Sequence, residues 1–161
     1  MIPSPGARPP RCRLVNLATG ETRNPTVDFG LVASLALGDL VWYDADNDGL
    51  VDAGEQPIGG VEERLLLDNG DGAFTPGVDT LVGTQTTSGA GLYRFSGLAP
   101  GAYFVHVPAT AFGAGQVLAG YRNSTGQFPG DANNNRDHGV PVAGQGVVSE
   151  LVTLCLLYTS P

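Results

Sequence analysis

Between residues 35 and 154 the chain alternates short runs of strand-forming residues with clusters of Gly, Asp, Asn and Pro. No window in this region carries the i, i+3, i+4, i+7 apolar pattern of an amphipathic helix. Short strands joined by tight turns are typical of an antiparallel β-sandwich, so we predict an all-β fold with little helix. The predicted strands cover residues 37–43, 61–67, 80–86, 91–95, 102–107 and 147–154.

The composition supports this fold and narrows the classes of function. The 161 residues include 24 Gly and 12 Pro, and the apolar fraction of 42% is sufficient for a core. Acidic residues outnumber basic ones 16 to 8. Such a surface repels polyanions, so we expect no nucleic-acid partner. We also expect no membrane insertion, because no stretch reaches the roughly 18 apolar residues of a spanning helix.

The acidic loop (residues 44–55) matches the calcium-loop pattern D-x-[DN]-x-[DN]-G-x5-E at every position. Ca²⁺ takes six to eight oxygen ligands, and alternating carboxylates turn every second side chain toward one centre. The alternative is a solvated acidic turn, the usual fate of a charge cluster. The pattern predicts a Ca²⁺ site with ligands from Asp44, Asp46, Asp48, the Leu50 carbonyl, Asp52 and Glu55.

The acidic loop lacks the two helices of an EF-hand. Trp42 and Tyr43 before it are typical of a strand, and Pro57 and the two glycines that follow would break a helix after it. We therefore expect an EF-hand-like loop between strands, in which Ca²⁺ stabilises the fold. A sensor that opens a helix pair is not expected.

Two other polar clusters are weaker metal candidates. Residues 68–72 place Asn69, Asp71 and Gly72 at calcium-loop positions 3, 5 and 6, but positions 1 and 12 are Leu67 and Val78. We therefore interpret residues 68–72 as a hairpin turn. The second cluster has Arg136 where a calcium loop needs Gly. It either lends ligands to a second Ca²⁺ site or forms an exposed Asn-rich loop; its oxygen donors are Asp131, Asn133, Asn135 and Asp137.

The acidic loop lies within a longer pattern. Residues 37–44 and 57–61, on either side of it, resemble the opening of the B-type repeats of serine-aspartate-repeat (SdrD B-like) bacterial surface proteins, in the collagen-adhesin B-domain group. Residues 91–103 are similar to that group's signature G-x-Y-x-F-x-G-L-x-P-G-x-Y. The resemblance covers residues 35–154. It implies a prealbumin/Ig-like antiparallel β-sandwich with an EF-hand-like calcium loop that lacks flanking helices.

The same resemblance implies a calcium-stabilised structural spacer repeat of a secreted or cell-wall-attached, adhesin-like protein. Its partners would be neighbouring repeats of the same chain and a host or matrix protein or glycan. Glu63 stands where the group has an apolar residue, so we expect it near a sheet edge or on the cation. The chain contains no Lys, so it cannot form the Lys–Asn isopeptide bond that many collagen-adhesin B domains carry.

A ligand- or carbohydrate-binding β-sandwich module of a secreted multidomain protein is the alternative function. Its contact surface would come from aromatic residues in loops, namely Phe112, Tyr121 and Phe128. An enzyme is not expected, because the sequence shows no grouped base, nucleophile and orienting residue. His106 is interpreted as a packed or surface residue. His138 follows the Asn-rich loop and is interpreted as a solvent-facing residue, with a ligand role as the alternative.

The two ends of the chain differ from residues 35–154. We expect residues 1–34 to be the tail of a preceding repeat and a linker, and the main repeat to lack its closing strand. Residues 155–161 resemble a translated sequencing adaptor and are excluded from the functional argument. Cys12 and Cys155 lie in these end segments, and no disulfide framework is expected.

Overall fold

The computed structural model describes residues 34–124 and 137–156. These residues form ten β-strands and a four-residue 3-10 helix, Ala109–Phe112. The prediction of an all-β fold with little helix is confirmed for this part of the chain. The strands are β1 (Leu35–Leu37), β2 (Trp42–Tyr43), β3 (Gln56–Pro57), β4 (Glu62–Leu67), β5 (Thr80–Thr86), β6 (Phe95–Leu98), β7 (Gly101–Pro108), β8 (Gly139–Val142), β9 (Gly146–Ser149) and β10 (Val152–Leu154).

The larger layer is a six-stranded antiparallel sheet with the strand order β5-β4-β7-β9-β8, in which β10 also pairs with β7. Two short antiparallel pairs, β1–β6 and β2–β3, accompany it. The main core joins Leu65 and Val105 of the large sheet to Phe95 and Leu98 of β6. The β1–β6 pair therefore packs on one face of the large sheet, as in a sandwich of two layers.

A second, smaller core supports the β2–β3 pair. Its buried members are Val61, Ala111 and Leu118, and Val41 and Ile58 pack against them. The Thr87 hydroxyl adds a polar tie, because it accepts from the Val61 N–H at 2.9 Å and donates to the Ile58 carbonyl at 2.8 Å. This core holds both ends of the acidic loop next to the large sheet.

Two predicted strands are interrupted where backbone segments approach closely. Of residues 91–95 only Phe95 lies in a strand, because Gly91 has a φ of 71° and closes a turn with Ser88. Residues 37–43 divide into β1 and β2 at Gly38. A Cβ at Gly38 would lie 2.3 Å from the Tyr93 carbonyl oxygen, so only glycine fits there.

The predicted strand over residues 147–154 divides into β9 and β10. Both pieces pair with β7, at different positions, so the chain bulges at Glu150 and Leu151. The Ser149 hydroxyl bridges the interruption, because it accepts from the Val105 N–H at 2.9 Å and donates to the Glu150 carbonyl at 2.8 Å. Strand β8 was not predicted, since it is short and contains Pro141, which edge strands tolerate.

Parts of the predicted organisation fall outside the described residues. Residues 1–33 and 157–161 include most of the predicted preceding-repeat tail and most of the adaptor-like end. Residues 125–136 also lie outside the described part of the chain, and they include Phe128 and the predicted second-site ligands Asp131, Asn133 and Asn135. These assignments remain predictions.

Candidate metal centre

The acidic loop joins β2 to β3, so both of its ends belong to one short antiparallel pair. Trp42 pairs with Pro57 and Tyr43 with Gln56, and the Ile58 N–H donates to the Val41 carbonyl at 2.8 Å. The loop therefore leaves and re-enters the fold at one place. This closure restricts where its carboxylates can point.

Asp44 organises the first turn of the loop. Its Oδ1 accepts from the backbone N–H groups of Asn47 at 2.6 Å and Asp48 at 3.2 Å, and its Oδ2 accepts from that of Gly49 at 2.9 Å. Asn47 and Gly49 have φ values of 63° and 78°, in the left-handed region. Gly49 thus makes the bend that the sequence pattern requires of it.

Three carboxylates converge in this turn. Asp44, Asp46 and Asp48 each offer an oxygen, and these oxygens all lie within 4.8 Å of one another. Oxygens that share one Ca²⁺ at about 2.3–2.6 Å lie no more than about 5 Å apart, so the arrangement fits the ion. Desolvation, and after it the negative charges of Asp48, Asp44 and Asp52, raise the pKa of Asp46.

Glu55 closes the loop from its far end. Its Oε1 accepts from the Ala45 N–H at 2.8 Å and its Oε2 from the Asp52 N–H at 3.0 Å. The cluster of three carboxylates does not include Asp52 or Glu55. Their part in metal binding, and that of the Leu50 carbonyl, remains a prediction.

Residues far away in the sequence fasten the loop. The Ser124 hydroxyl donates to Asp44 Oδ2, and the Asp137 N–H donates to the Gly49 carbonyl at 2.8 Å. Desolvation opposes ionisation of Asp44, but the hydrogen bonds from Ser124 and the turn lower its pKa. Ser124 was not predicted, because it lies 80 residues from Asp44 and belongs to no ligand pattern.

Asp137 is the described member of the predicted second site. Its carboxylate is buried and accepts from the Gly139 N–H at 2.7 Å and from the Asn123 amide at 3.1 Å. Desolvation raises its pKa. In this structure Asp137 holds its own turn beside the acidic loop, and the second site remains a prediction.

Comparison with known proteins places this geometry in a family. The family model described as SdrD B-like domain matches residues 35–142, more than half of the chain. The chain belongs to the SdrD B-like domain family. The match contains β1 through β8 and the whole acidic loop, and it confirms the resemblance found in the sequence.

Relatives of this SdrD B-like domain occur in very long proteins. The chain is 31% identical over 130 residues to serine-aspartate repeat-containing protein F of Staphylococcus epidermidis, covering 80% of this chain and 6% of that protein. It is 41% identical over 91 residues to colossin-A of Dictyostelium discoideum, covering 56% of this chain and 1% of that protein. The chain is thus similar to one repeat domain of such proteins. None of the described segments forms a helix long and apolar enough to cross a bilayer.

The position of Glu63 in the SdrD B-like domain contradicts one of its two predicted alternatives, a place near a sheet edge, and binding to the cation stays a prediction. Strand β4 lies between β5 and β7, and Glu63 is only 1% exposed. Its Oε1 has no hydrogen-bond partner among the described residues. Burial raises the pKa of Glu63 to about 8. A buried carboxyl in the interior of a central strand is a feature that the family resemblance did not imply.

Of three candidate residues from the sequence, His106 and Phe112 pack within the domain, and the third, Tyr121, is exposed. His106 is buried, with Nε2 2.7 Å from the Gln145 carbonyl oxygen, and burial lowers its pKa. Phe112 packs against the smaller core. Tyr121 is exposed, and its ring meets that of Tyr43 edge-on at 5.7 Å between centroids. Tyr121 therefore stays the stronger of these two candidates for a contact surface.

Proposed function

We propose that this domain is a calcium-stabilised structural spacer repeat of a secreted or cell-surface, adhesin-like bacterial protein. The observation that carries the proposal is the convergence of Asp44, Asp46 and Asp48 within 4.8 Å. Family membership supports the repeat character. The relative from Staphylococcus epidermidis is named a serine-aspartate repeat-containing protein, and the match covers only 6% of its length.

The stabilisation follows from the charge of the loop. Folding brings three carboxylates together, and without a cation their repulsion opposes the native turn. A ligand that binds only the native state adds RT ln(1 + [L]/Kd), about 2.7 kcal/mol at 100-fold excess. Extracellular modules bind Ca²⁺ with a Kd of about 10⁻⁴–10⁻³ M. Calcium outside a cell therefore suits this site better than the low calcium of a cytosol.

The surroundings of the loop favour a structural role over a signalling one. Strands β2 and β3 flank the loop and pair with each other, whereas a calcium sensor needs two helices that can move apart. The links from Ser124 and Asp137 would transmit the bound ion's constraint to two further segments. We propose that the stiffened domain contacts neighbouring repeats of the same chain.

Calcium titration with thermal melting tests the proposed function. Near 100-fold excess of calcium over Kd, we expect the melting temperature to rise by roughly 10 °C relative to chelator. Magnesium at the same concentration is the matched control and should have a smaller effect, because it needs a tighter octahedral site. Identical melting curves in calcium and in chelator would overturn the proposal.

A second candidate function is the binding of a small ligand, in keeping with a ligand- or carbohydrate-binding module. It is favoured by a cavity of about 510 Å³ beside the acidic loop. This function does not exclude the first, because a spacer repeat can also hold a ligand.

A further inference from the structure

A cavity beside the acidic loop is left unused by the calcium proposal. Its volume is about 510 Å³, and its wall includes side chains from β2, β4, β7 and β9. Sites for small organic molecules typically measure about 300–1,000 Å³. The cavity is therefore large enough for such a molecule.

Two buried polar atoms of the cavity-lining residues lack hydrogen-bond partners within residues 34–124 and 137–156: Trp42 Nε1 and Glu63 Oε1. Glu63 is 1% exposed, so bulk water does not compensate for its burial. An indole N–H can only donate. Burial keeps Glu63 protonated at neutral pH, but a cation beside it favours the ionised carboxylate, which can only accept. A cation that satisfies both groups therefore accepts from Trp42 and donates to Glu63.

The charge of the wall selects the sign of that molecule. Apart from Asp44, which belongs to the calcium cluster, three carboxyl groups line the cavity, from Asp39, Glu63 and Asp137, whereas Arg122 supplies one permanent positive charge. A cleft lined mainly by one sign of charge attracts the opposite sign. The cavity therefore favours a cation over an anion.

Aromatic rings complete the wall. Trp42, Tyr93 and Phe112 all line the cavity. Tyr93 lies close enough to Glu63 and Asp39 for their charges, after burial, to raise its pKa. Aromatic faces next to a carboxylate suit an organic ammonium ion, because the rings attract the charge and cover its carbon atoms.

We propose that this cavity binds a small organic ammonium ion that carries an oxygen acceptor beside its charge, as amino alcohols and amino sugars do. The ammonium group donates to Glu63, and the neighbouring oxygen accepts from the Trp42 N–H. The aromatic side chains cover the carbon skeleton. Asp44 lines the cavity and also belongs to the calcium cluster, but Glu63 and Trp42, which hold the amine, lie outside that cluster. The binding therefore does not depend on the proposed role of calcium.

The fluorescence of Trp42, the single Trp of the chain, reports directly on the cavity. Glucosamine and ethanolamine are the probes, and glucose and ethylene glycol are their uncharged counterparts. Calcium is kept in excess so that the acidic loop cannot bind the amine in place of the ion. We expect a saturable change with at least one amine and no saturable change with its counterpart. Binding of glucosamine or of ethanolamine shows whether the cavity takes an amino sugar or an amino alcohol.

A matched pair of variants locates the binding. Glu63→Gln keeps the shape of the side chain but removes the charge, and it should weaken amine binding by at least about tenfold. Glu62→Gln is the control, because Glu62 is next to Glu63 but pairs with Arg64 at 2.7 Å and does not line the cavity. This variant should bind the amine like the unmodified domain.

A pH series verifies that the Glu63→Gln variant folds. In the unmodified domain without ligand, the melting temperature should fall as pH rises from about 4.5 toward 8. In this window the unfolded chain has released the Glu63 proton, whereas burial beside Tyr93 and Asp39 keeps it on the folded domain. The folded variant should show a smaller fall, because Asp137, whose pKa is also raised by burial, still contributes. If the variant does not fold, the comparison of amine and neutral probes on the unmodified domain alone tests whether the cavity binds an ammonium ion. Equal responses to both probe types, or none to either amine, would overturn the proposal.

Discussion

Two Asp- and Gly-rich loops in this domain use their carboxylates differently. The hairpin loop (residues 68–79) joins β4 to β5, and its carboxylates serve as acceptors for nearby backbone N–H groups. Asp68 accepts from two of them, at 3.0 and 3.1 Å. Asp79, which is buried, also accepts from two, at 3.2 and 2.7 Å. These hydrogen bonds stabilise the hairpin loop without an ion.

The acidic loop has a similar composition but a different geometry. Asp44 also accepts from backbone N–H groups, yet its carboxylate lies beside those of Asp46 and Asp48. Among the described residues, no cluster of three carboxylates includes a member of the hairpin loop. The difference shows that carboxylates gather when they alternate through one tight turn, and that acidic content alone does not make a metal site.

The largest effect is expected from Asp44→Ala in the presence of calcium. The substitution removes a carboxylate of the cluster and the acceptor of three turn hydrogen bonds. We expect the free energy of unfolding to fall by about 4 kcal/mol, of which about 2.7 is calcium binding near saturation and about 1 the turn. In chelator only the smaller loss should remain. Urea denaturation in calcium and in chelator measures the two losses. Equal losses in the two conditions would remove the distinction between the acidic loop and the hairpin loop.

The reciprocal substitution, Asp79→Ala, should destabilise the domain equally with and without calcium. It leaves the Asn69 and Thr75 N–H groups without their acceptor in a partly buried place. The expected loss is about 2 kcal/mol. Urea denaturation in calcium and in chelator should give the same value. A loss confined to calcium would mean that the hairpin loop also holds an ion.

Asp46→Asn separates charge repulsion from turn formation. Asp46 is exposed, and its pKa is raised by desolvation and by the charge of Asp48, so in chelator its neutral replacement should slightly raise the melting temperature. In calorimetric titration the calcium Kd should increase on the order of tenfold, because a ligand charge is lost. A lower melting temperature in chelator would instead assign Asp46 a role in holding the turn.

Local sequence patterns predicted the elements that depend on local chemistry. Strand β5 was predicted with its observed bounds, and Gly49 makes the bend assigned to it. The failures lie where distant segments meet. Gly38 interrupts a predicted strand because the Tyr93 backbone crosses it, and no pattern of neighbouring residues contains that contact.

The candidate site divides in the same way. Alternating acidic residues predicted the convergence of Asp44, Asp46 and Asp48, since the turn that brings them together is local. Neither the hydroxyl of Ser124 on Asp44 nor the burial of Glu63 follows from residues nearby in the sequence. Both depend on which strands become neighbours, and pairing over long distances is set by the whole fold.

The smallest and most closely matched effects are expected from Gly54→Ala and Gly70→Ala. The two glycines have φ values of 105° and 103°, and a Cβ at either would meet nothing within 4 Å. Only backbone strain distinguishes Ala from Gly here, so each variant should lose roughly 1–2 kcal/mol in chelator. With calcium, Gly54→Ala should lose more than Gly70→Ala, because Gly54 precedes Glu55 and a shifted backbone would move the predicted final ligand. Calcium-dependent melting of both variants measures this difference. If the losses stay equal in calcium, Glu55 closes the loop through its hydrogen bonds alone and is not a ligand of the ion.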